Sequence, residues 1–308
     1  MTGTTLTVNE AALASSRRSK RFRKYILPWL FMAPLIFLNV VVILGPSFGS
    51  AYYAFTDWTG LGPAKWVGLK NFQRMFTDPV YLTALGNNIK WTIIFLTVPI
   101  SMALFGAALL APIKRLAMFY RVGYFIPYII ASVVNTAIWR NLLNPTRGLG
   151  VWLADHGLEF FRVAFLGNRY TVLYSIAFVD NWHWWGFLVV LYLAAMQAID
   201  KELYEVAYLE GASRWQEWRH ITFPGIRPTF VFTALMTVIW SFLVFDYIYI
   251  FTQGGPAHAS EVLSTVVYTN AFFRFDVGYA AAVGVSMSFF SAIVTAGYMI
   301  LKKRGWDI

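Results

Sequence analysis

The sequence contains no cysteine, and charged residues make up only 13% of its 308 positions. The missing thiols exclude disulfides and thiolate metal sites. The scarcity of charge excludes an ordinary soluble domain, in which about 25% of residues are charged. No His, Asp and Glu residues have metal-ligand spacing, no Ser, His and Asp arrangement suggests a nucleophile, and His220 and His258 stand alone at loop positions where we expect them to be solvated. We therefore expect neither a metal site nor an enzyme.

Most residues of the chain are apolar. The chain is 58% hydrophobic and 19% aromatic, with a mean hydropathy of +0.55, values that indicate an integral membrane protein. The formal charge of +10 comes from basic residues gathered at the ends of apolar runs. Basic residues at such positions set membrane topology, so we expect no nucleic-acid partner.

Runs without Asp, Glu, Lys or Arg are long enough to cross a bilayer, since about 20 apolar residues in a helix span its hydrocarbon core. Two runs extend through one acid each, Asp180 and Asp246. We predict an all-α protein with six transmembrane helices. The predicted spans are residues 25–56, 91–113, 122–139, 181–199, 228–245 and 277–301.

Basic residues at both ends of the chain predict its orientation. Six lie between residues 17 and 24, and Lys302, Lys303 and Arg304 close the last span. With both termini cytoplasmic, the inside holds 16 of the 25 Lys and Arg residues, as the positive-inside rule requires. We expect a disordered basic cytoplasmic tail over residues 1–24, a transmembrane domain over 25–304 and a short cytoplasmic tail over 305–308.

The polar loop at residues 200–224 predicts a cytoplasmic helix-turn-helix between the fourth and fifth spans. Asp200 is a good N-cap, Gly211 suits the left-handed residue after a helix, and Ser213 followed by Gln216 forms a capping box. We expect Pro224 to end the second helix. A stiff pair of short helices suits docking into a partner's groove, but an interfacial hairpin resting on lipid headgroups has the same periodicity.

Two ionisable residues lie inside the predicted spans, where such groups usually face a cavity or a partner. Asp180 precedes His183 by three residues within a stretch that includes Trp182 and Trp185. Carboxylate oxygens beside aromatic faces suit a sugar, whose hydroxyls accept or donate hydrogen bonds while its C–H face stacks. Equally, Asp180 could pair with His183 to hold helices together, with the tryptophans forming an interfacial belt.

The second acid, Asp246, stands with Tyr247 and Tyr249 near the outer end of the fifth span. It either contacts solute or fixes the Gly-Gly-Pro turn at residues 254–256, and the turn is the somewhat better expectation. Asn135, in the third span, either lines a pathway or caps a neighbouring backbone group.

The loop at residues 200–224 carries a recognisable pattern. Glu205, Ala207, Gly211, Ile221 and Pro224 have the spacing of the EAA loop, EAA-x3-G-x9-I-x-L-P. This loop is found in the membrane subunits of binding-protein-dependent ATP-binding cassette importers, which the chain therefore resembles.

The resemblance departs from the pattern at two positions and extends beyond it. Val206 replaces an alanine and Phe223 replaces a leucine. Further segments resemble the carbohydrate-uptake branch of this family, which includes maltose and glycerol-3-phosphate permeases. These segments are Pro34, 67–72, Asn181-Trp182, Gly186-Phe187, Phe245-Asp246, 252–256 and 278–282.

The resemblance implies a permease subunit in a bacterial inner membrane. Its implied partners are a related permease forming a heterodimer, two cytoplasmic ATPase subunits and an extracytoplasmic binding protein that delivers a sugar or oligosaccharide. The chain has no phosphate loop, so ATP and magnesium would bind the ATPase and no cofactor would bind this chain. Glu205, Glu210 and Gly211 would belong to the segment that couples to the ATPase. The alternative is a self-contained ion-coupled transporter or channel that uses Asp180 and Asp246.

Overall fold

The computed structural model describes residues 22–113 and 115–303. Most of the predicted N-terminal tail and all of the C-terminal tail at 305–308 lie outside these residues. The described residues form helices and loops and contain no strand, only an isolated bridge between Thr56 and Trp66. They divide into two compact units at Tyr53 and Ala54, each of which is described by itself.

The first unit contains helix α1 (Lys24–Tyr53), which is 30 residues long. Its backbone alternates between α-helical turns and two π-helical segments, Phe22–Ile26 and Asn39–Leu44. The predicted first span at residues 25–56 matches this helix closely.

The second unit, from residue 54 onward, contains the remaining helices. A 3₁₀ turn at Glu159–Phe161 lies between α6 and α7. The helices are α2 (Lys70–Met75), α3 (Pro79–Leu110), α4 (Ala117–Ile129), α5 (Ser132–Leu142), α6 (Leu149–Asp155), α7 (Val172–Gln197), α8 (Lys201–Leu209), α9 (214–243), α10 (Asp246–Thr252), α11 (Leu263–Phe272) and α12 (Val277–Lys303).

Four helical stretches of the described chain are long and apolar enough to cross a membrane: α1, α3, α9 with α10, and α12. The count rises to six if two bent pairs each form one span. These pairs are α4 with α5, bent by 92°, and α7 with α8, bent by 72°. The prediction of an all-α membrane protein is confirmed to this extent.

Three predicted spans differ from the helices found, and one of them, the fifth, was expected to continue through Asp246 to Thr252 but is interrupted at Val244 and Phe245. The second was expected to begin at Trp91, but α3 begins at Pro79 because the Asp78 carboxylate accepts a hydrogen bond from the Val80 amide (2.8 Å) and Pro79 occupies the first turn. Lys90, which set the predicted boundary, is exposed on this helix.

The third predicted span, 122–139, is broken. Ile130 and Ala131 have extended backbones, with ψ of 125° and 139°, and they separate α4 from α5. Pro127 lies in the last turn of α4, where its missing N–H weakens the helical ladder. A run without charge could not reveal this break.

Pro224 does not end a helix, contrary to the prediction. The π segment Trp218–Thr222 precedes it, and the Phe223 amide donates to the carbonyl of Trp218, five residues back. The wider turn leaves Pro224 in the first turn of Phe223–Leu243, where a proline is tolerated. Helix α9 therefore runs through this position.

The π segments of α1 show the same relation to proline. Each of the three π segments in the described chain ends two residues before a proline: Pro28, Pro46 or Pro224. The Gly45 amide, just before Pro46, also donates to a carbonyl five residues back. A proline removes one backbone donor and crowds the carbonyl four residues earlier, and a π turn accommodates both effects.

Helix α3 lies at the centre of the second unit, where it packs against α7 and α9. Its fully buried Trp91 belongs to a core cluster with the first half of α7, and a second cluster joins the later halves of α3 and α7 to α9 around Ile226. Asn88 connects three elements: its Nδ2 donates to the Ser241 carbonyl (2.7 Å), and its Oδ1 accepts from the Leu263 amide (2.8 Å).

Candidate functional site

A cavity of about 500 Å³ lies in the second unit among α3, α4, α5, α7, α9 and α10. Its volume is in the range of small-molecule sites. The lining residues are Trp91, Phe95, Tyr128, Ile129, Ile130, Ala131, Ser132, Asp180, His183, Trp184, Thr237, Trp240, Ser241, Val244, Asp246 and Tyr247.

Both helix breaks of this region line the cavity. Residues 129–132 contain the break between α4 and α5, while Val244 and Asp246 flank the break between α9 and α10. Non-helical backbone at membrane depth is tolerated only where protein buries it or a water-filled cavity receives it. The free backbone groups at both breaks therefore border this cavity.

Two unbroken helix faces complete the walls. Asp180, His183 and Trp184 of α7 have the spacing i, i+3, i+4, as do Thr237, Trp240 and Ser241 of α9. Such spacing places side chains on one helix face. The Trp184 and Trp240 rings meet edge to face at 4.6 Å.

The cavity combines aromatic rings with acidic and hydroxyl groups. The lining residues include two carboxylates, of Asp180 and Asp246, and no Lys or Arg. Asp246 accepts a hydrogen bond from the Ser132 hydroxyl (3.4 Å). The Thr237 hydroxyl oxygen is buried without a hydrogen-bond partner among the described residues. This arrangement suits a solute that offers hydroxyl donors and apolar C–H faces and carries no negative charge.

The alternative role for Asp180, a pair with His183, is absent from the described chain, since no ion pair within 4.0 Å joins them. The His183 ring instead packs against the ring of Tyr128, in the last turn of α4, with ring centroids 5.4 Å apart.

The other predicted pathway residues lie in different places. Asp246 and Tyr247 line the cavity with Asp180. Asn135 is fully buried behind it, and its Nδ2 donates to the Tyr247 hydroxyl (2.9 Å) while its Oδ1 has no described partner. Tyr249 stacks on Phe245 outside the lining, with ring centroids 5.0 Å apart.

Trp182 and Trp185 face away from the cavity. Together they line a separate pocket of about 320 Å³ against α4. Trp184, His183 and Trp240 line the cavity but were not predicted as pathway residues. Helical periodicity counted from Asp180 was a signal for the first two, because residues three and four positions on share its face.

The segment that resembles the EAA loop forms α8, a turn and the start of α9. Asp200 accepts a hydrogen bond from the Glu202 amide (3.1 Å) and caps α8. Gly211 has a φ of +78°, and the Ala212 and Gly211 amides donate to the carbonyls of Ala207 and Tyr208. These bonds form a Schellman motif, which favours glycine at this position.

The second cap is the predicted capping box. The Ser213 amide donates to Oε1 of Gln216 (2.7 Å), and the Gln216 amide donates to the Ser213 hydroxyl (3.4 Å). The Tyr204 and Thr222 hydroxyls form a hydrogen bond of 2.9 Å that braces α8 against the π segment of α9. Two caps and a brace thus hold the segment in a defined bend.

The outer surface of α8 carries apolar side chains that other described residues do not cover. Tyr208 and Leu209 are 77% and 83% exposed. Among the predicted coupling residues, Glu205, Glu210 and Gly211 are exposed, while Ala207 and Ile221 are partly buried. Pro224, the last of these residues, is exposed at the start of the second part of α9.

The loop between α10 and α11 corrects one expectation. His258 was expected to be solvated and isolated, but its Nδ1 lies 2.7 Å from Oε2 of the buried Glu261. Oε1 of the same carboxylate accepts from the Thr265 hydroxyl (2.7 Å), and no described hydrogen bond joins Asp246 to the Gly-Gly-Pro turn. Glu261 is therefore the acid that organises this loop.

Comparison with known proteins identifies what the chain resembles as a whole. Residues 11–306 match the family model of the binding-protein-dependent transport system inner membrane component. A probable ABC transporter permease protein YurN of Bacillus subtilis is 35% identical, over 91% of this chain and 97% of that protein. The lactose transport system permease protein LacF of Rhizobium radiobacter is 31% identical, over 89% and 93%.

A solved structure has the same fold. The crystal structure of a bacterial alginate ABC transporter, in complex with an alginate pentasaccharide-bound periplasmic protein, contains a chain that superposes with a TM-score of 0.82. The two chains are 22% identical, and the match covers 92% of this chain and 96% of the other.

Proposed function

The chain belongs to the family of binding-protein-dependent transport system inner membrane components, and from this premise we propose that it is the sugar-conducting permease subunit of an ATP-driven importer. It is a transport component and not an enzyme. The observation that carries the proposal is the cavity at the two helix breaks, where a polar pathway can cross the bundle.

A sugar or oligosaccharide is the proposed solute. The aromatic rings of Trp184, Trp240 and Tyr128 offer stacking faces, and Asp180 and Asp246 accept hydrogen bonds from hydroxyls. The relative named for lactose transport and the neighbour named for alginate transport both handle carbohydrates by their descriptions, which supports this class.

We further propose that α8 docks on a separate ATPase and transmits its motion to the membrane helices. An exposed Tyr208 and Leu209 on a doubly capped helix provide apolar anchors for a groove on a separate ATPase. Glu205 and Glu210 would meet basic or amide groups at the rim. ATP and magnesium would bind that ATPase, and its closure would move α8, α9 and the broken helices beside the cavity as a unit.

The proposal includes the remaining partners and the topology. A related permease would complete the pathway, and an extracytoplasmic binding protein would deliver the solute, as the periplasmic protein does in the alginate transporter complex by its description. Six spans in a bacterial inner membrane, with both termini in the cytoplasm, place α8 on the ATPase side. The family assignment favours this importer over the self-contained ion-coupled transporter.

Reconstitution in liposomes tests the function. We expect uptake from a panel of labelled neutral mono- and oligosaccharides only when the sister permease, ATPase and binding protein are present with this chain. Uptake by this chain alone, driven by an ion gradient, would contradict the proposal.

Two tryptophan variants test the cavity within the same assay. Trp184→Ala removes a cavity wall, whereas the control Trp182→Ala changes the neighbouring pocket on the same helix. We expect a large loss of uptake in the first and a small one in the second. Equal losses would place the pathway elsewhere.

The coupling role is tested separately. Leu209→Ala should reduce solute-stimulated ATP hydrolysis and uptake together, while Glu202→Ala, an exposed change in the first turn of α8, should leave both nearly unchanged. Full stimulation in the Leu209 variant would remove α8 from the coupling path.

A further inference from the structure

A second cavity, of about 1010 Å³, lies at the end of the second unit that carries α8. The ends of α3 and α7, the start of α4, and residues of α8 and α9 form its walls. It shares no lining residue with the cavity at the helix breaks. Its charge and its walls differ from those of the first cavity.

Three cations and one carboxylate line this second cavity. Arg214 donates to the Glu217 carboxylate (3.1 Å), which leaves Arg121 and Lys201 without an ion pair among the described residues. The second cavity therefore has an excess of positive charge, whereas the first has only acids as charged groups.

Arg121 is the most informative of these residues. It is partly buried, its Nε is fully shielded, and no described residue accepts a hydrogen bond from it. An arginine carries five N–H donors in a planar fork, and leaving charged donors unpaired in a buried place costs free energy. A phosphate or carboxylate suits such a fork, because it accepts two parallel hydrogen bonds.

The rest of the second cavity is largely apolar. Ala111, Pro112 and Ile113 follow α3, and Met196 and Ile199 lie at the end of α7. A free inorganic anion would gain nothing from these walls. An amphipathic anion would gain from both parts, since burying each CH₂ group contributes about 0.8 kcal/mol.

We propose that the second cavity binds an anionic phospholipid, with its phosphate diester at Arg121 and Lys201 and the upper part of an acyl chain along the apolar wall. Juxtamembrane basic groups attract anionic lipids in this way. The lipid would lie between α4 and the base of α8, so its binding would stabilise the bend that joins α7 to α8. This site is separate from the proposed solute cavity, with which it shares no lining residue.

Lipid binding can be measured on the full chain after delipidation in detergent. Thermal unfolding is followed while phosphatidylglycerol, phosphatidylcholine or glycerol phosphate is added. We expect a saturable rise in unfolding temperature with phosphatidylglycerol and a much smaller rise with the other two. Native mass spectrometry should show one tightly retained anionic lipid.

Arg121→Gln should raise the phosphatidylglycerol concentration at half-saturation by about tenfold, as expected for loss of one charged hydrogen-bonding group. The matched control is Arg219→Gln, an exposed arginine of α9 that does not line the second cavity. Arg121→Lys, which keeps the charge and loses the fork, should fall between them and serves if the glutamine variant does not fold.

Four results would overturn the proposal. The first is the same half-saturation in the wild type, the Arg121 variants and the Arg219 control. The second is an equal effect of phosphatidylcholine, which would reflect solvation of apolar surface, and the third is full stabilisation by glycerol phosphate, which would indicate a site for a soluble anion. A copurifying acidic protein that displaces the lipid would also overturn it.

Discussion

Gly186 of α7 allows helix α4 to approach unusually closely. A Cβ atom added at Gly186 would lie 1.8 Å from the Tyr124 carbonyl oxygen and 2.8 Å from its carbon, both backbone atoms. Ordinary contact begins at 3.4 Å, so Gly186→Ala requires the two helices to separate locally by about 1.6 Å. Because the obstacle is backbone, no side-chain rotation can relieve it.

The cost follows from this geometry. Overpacking a well-packed interior typically costs about 1–3 kcal/mol and sometimes more, and a displacement of backbone belongs at the upper end. Each kcal/mol corresponds to roughly 2–4 °C in the unfolding temperature of a domain of 150–250 residues. We therefore expect Gly186→Ala to unfold several degrees below the wild type in detergent, measured by intrinsic tryptophan fluorescence.

Gly123→Ala is the matched control, because Gly123 lies on the opposing helix α4 and a Cβ atom there would meet nothing within 4 Å. An alanine in place of an exposed helical glycine stabilises by about 0.5–1 kcal/mol, so this variant should unfold at the wild-type temperature or slightly above. If the two variants unfold together, the close approach of α4 and α7 is wrong.

Three further changes have defined outcomes. Asn88→Leu leaves two buried backbone groups unpaired and should cost about 1–3 kcal/mol for each, measured by unfolding against the exposed control Asn141→Leu; equal stability would refute the bridge. Ser213→Ala should reduce protection of the turn after α8 in hydrogen exchange by about 1 kcal/mol; unchanged protection would refute the cap. Partial burial alone would raise the pKa of Asp78, but hydrogen bonds from the Tyr279 hydroxyl and backbone amides lower it below its ordinary value. The stabilisation from Asp78 is therefore present above about pH 4 and is lost as the pH falls through the lowered pKa. Asp78→Asn removes this pH-dependent stabilisation, so in an acid titration the variant should begin to unfold at a higher pH than the wild type.

The presence of most helices could be predicted from the sequence, because apolar runs and helix caps are formed by residues that are close together in the chain. Asp200, Gly211 and the Ser213–Gln216 pair perform the predicted capping. Asp180 and Asp246 were recognised as cavity candidates because a charge inside an apolar run needs a polar surrounding.

Whether a helix continues past a proline or breaks there could not be predicted in the same way. A proline predicts a missing donor, but the surrounding backbone decides the response: a π turn at Pro224 keeps α9 intact, whereas the chain near Pro127 breaks two residues later. The choice between Trp182 and Trp184 also depended on which side of α7 faces α9, a tertiary relation that composition does not contain. His258 found a partner only because the loop turns back on Glu261.

The broken helices place polar backbone groups beside the acidic side chains of the cavity. A continuous helix satisfies its own backbone and presents only side chains, whereas the breaks after Ile129 and Leu243 free backbone groups within apolar surroundings. Those groups border the cavity that the side chains of Asp180 and Asp246 also line. A movement that straightens or closes either break would remove the space that the free backbone groups and the two acidic side chains share. Under the proposed function, the breaks are the positions at which motion of α8 and α9 would most directly open or close the polar route.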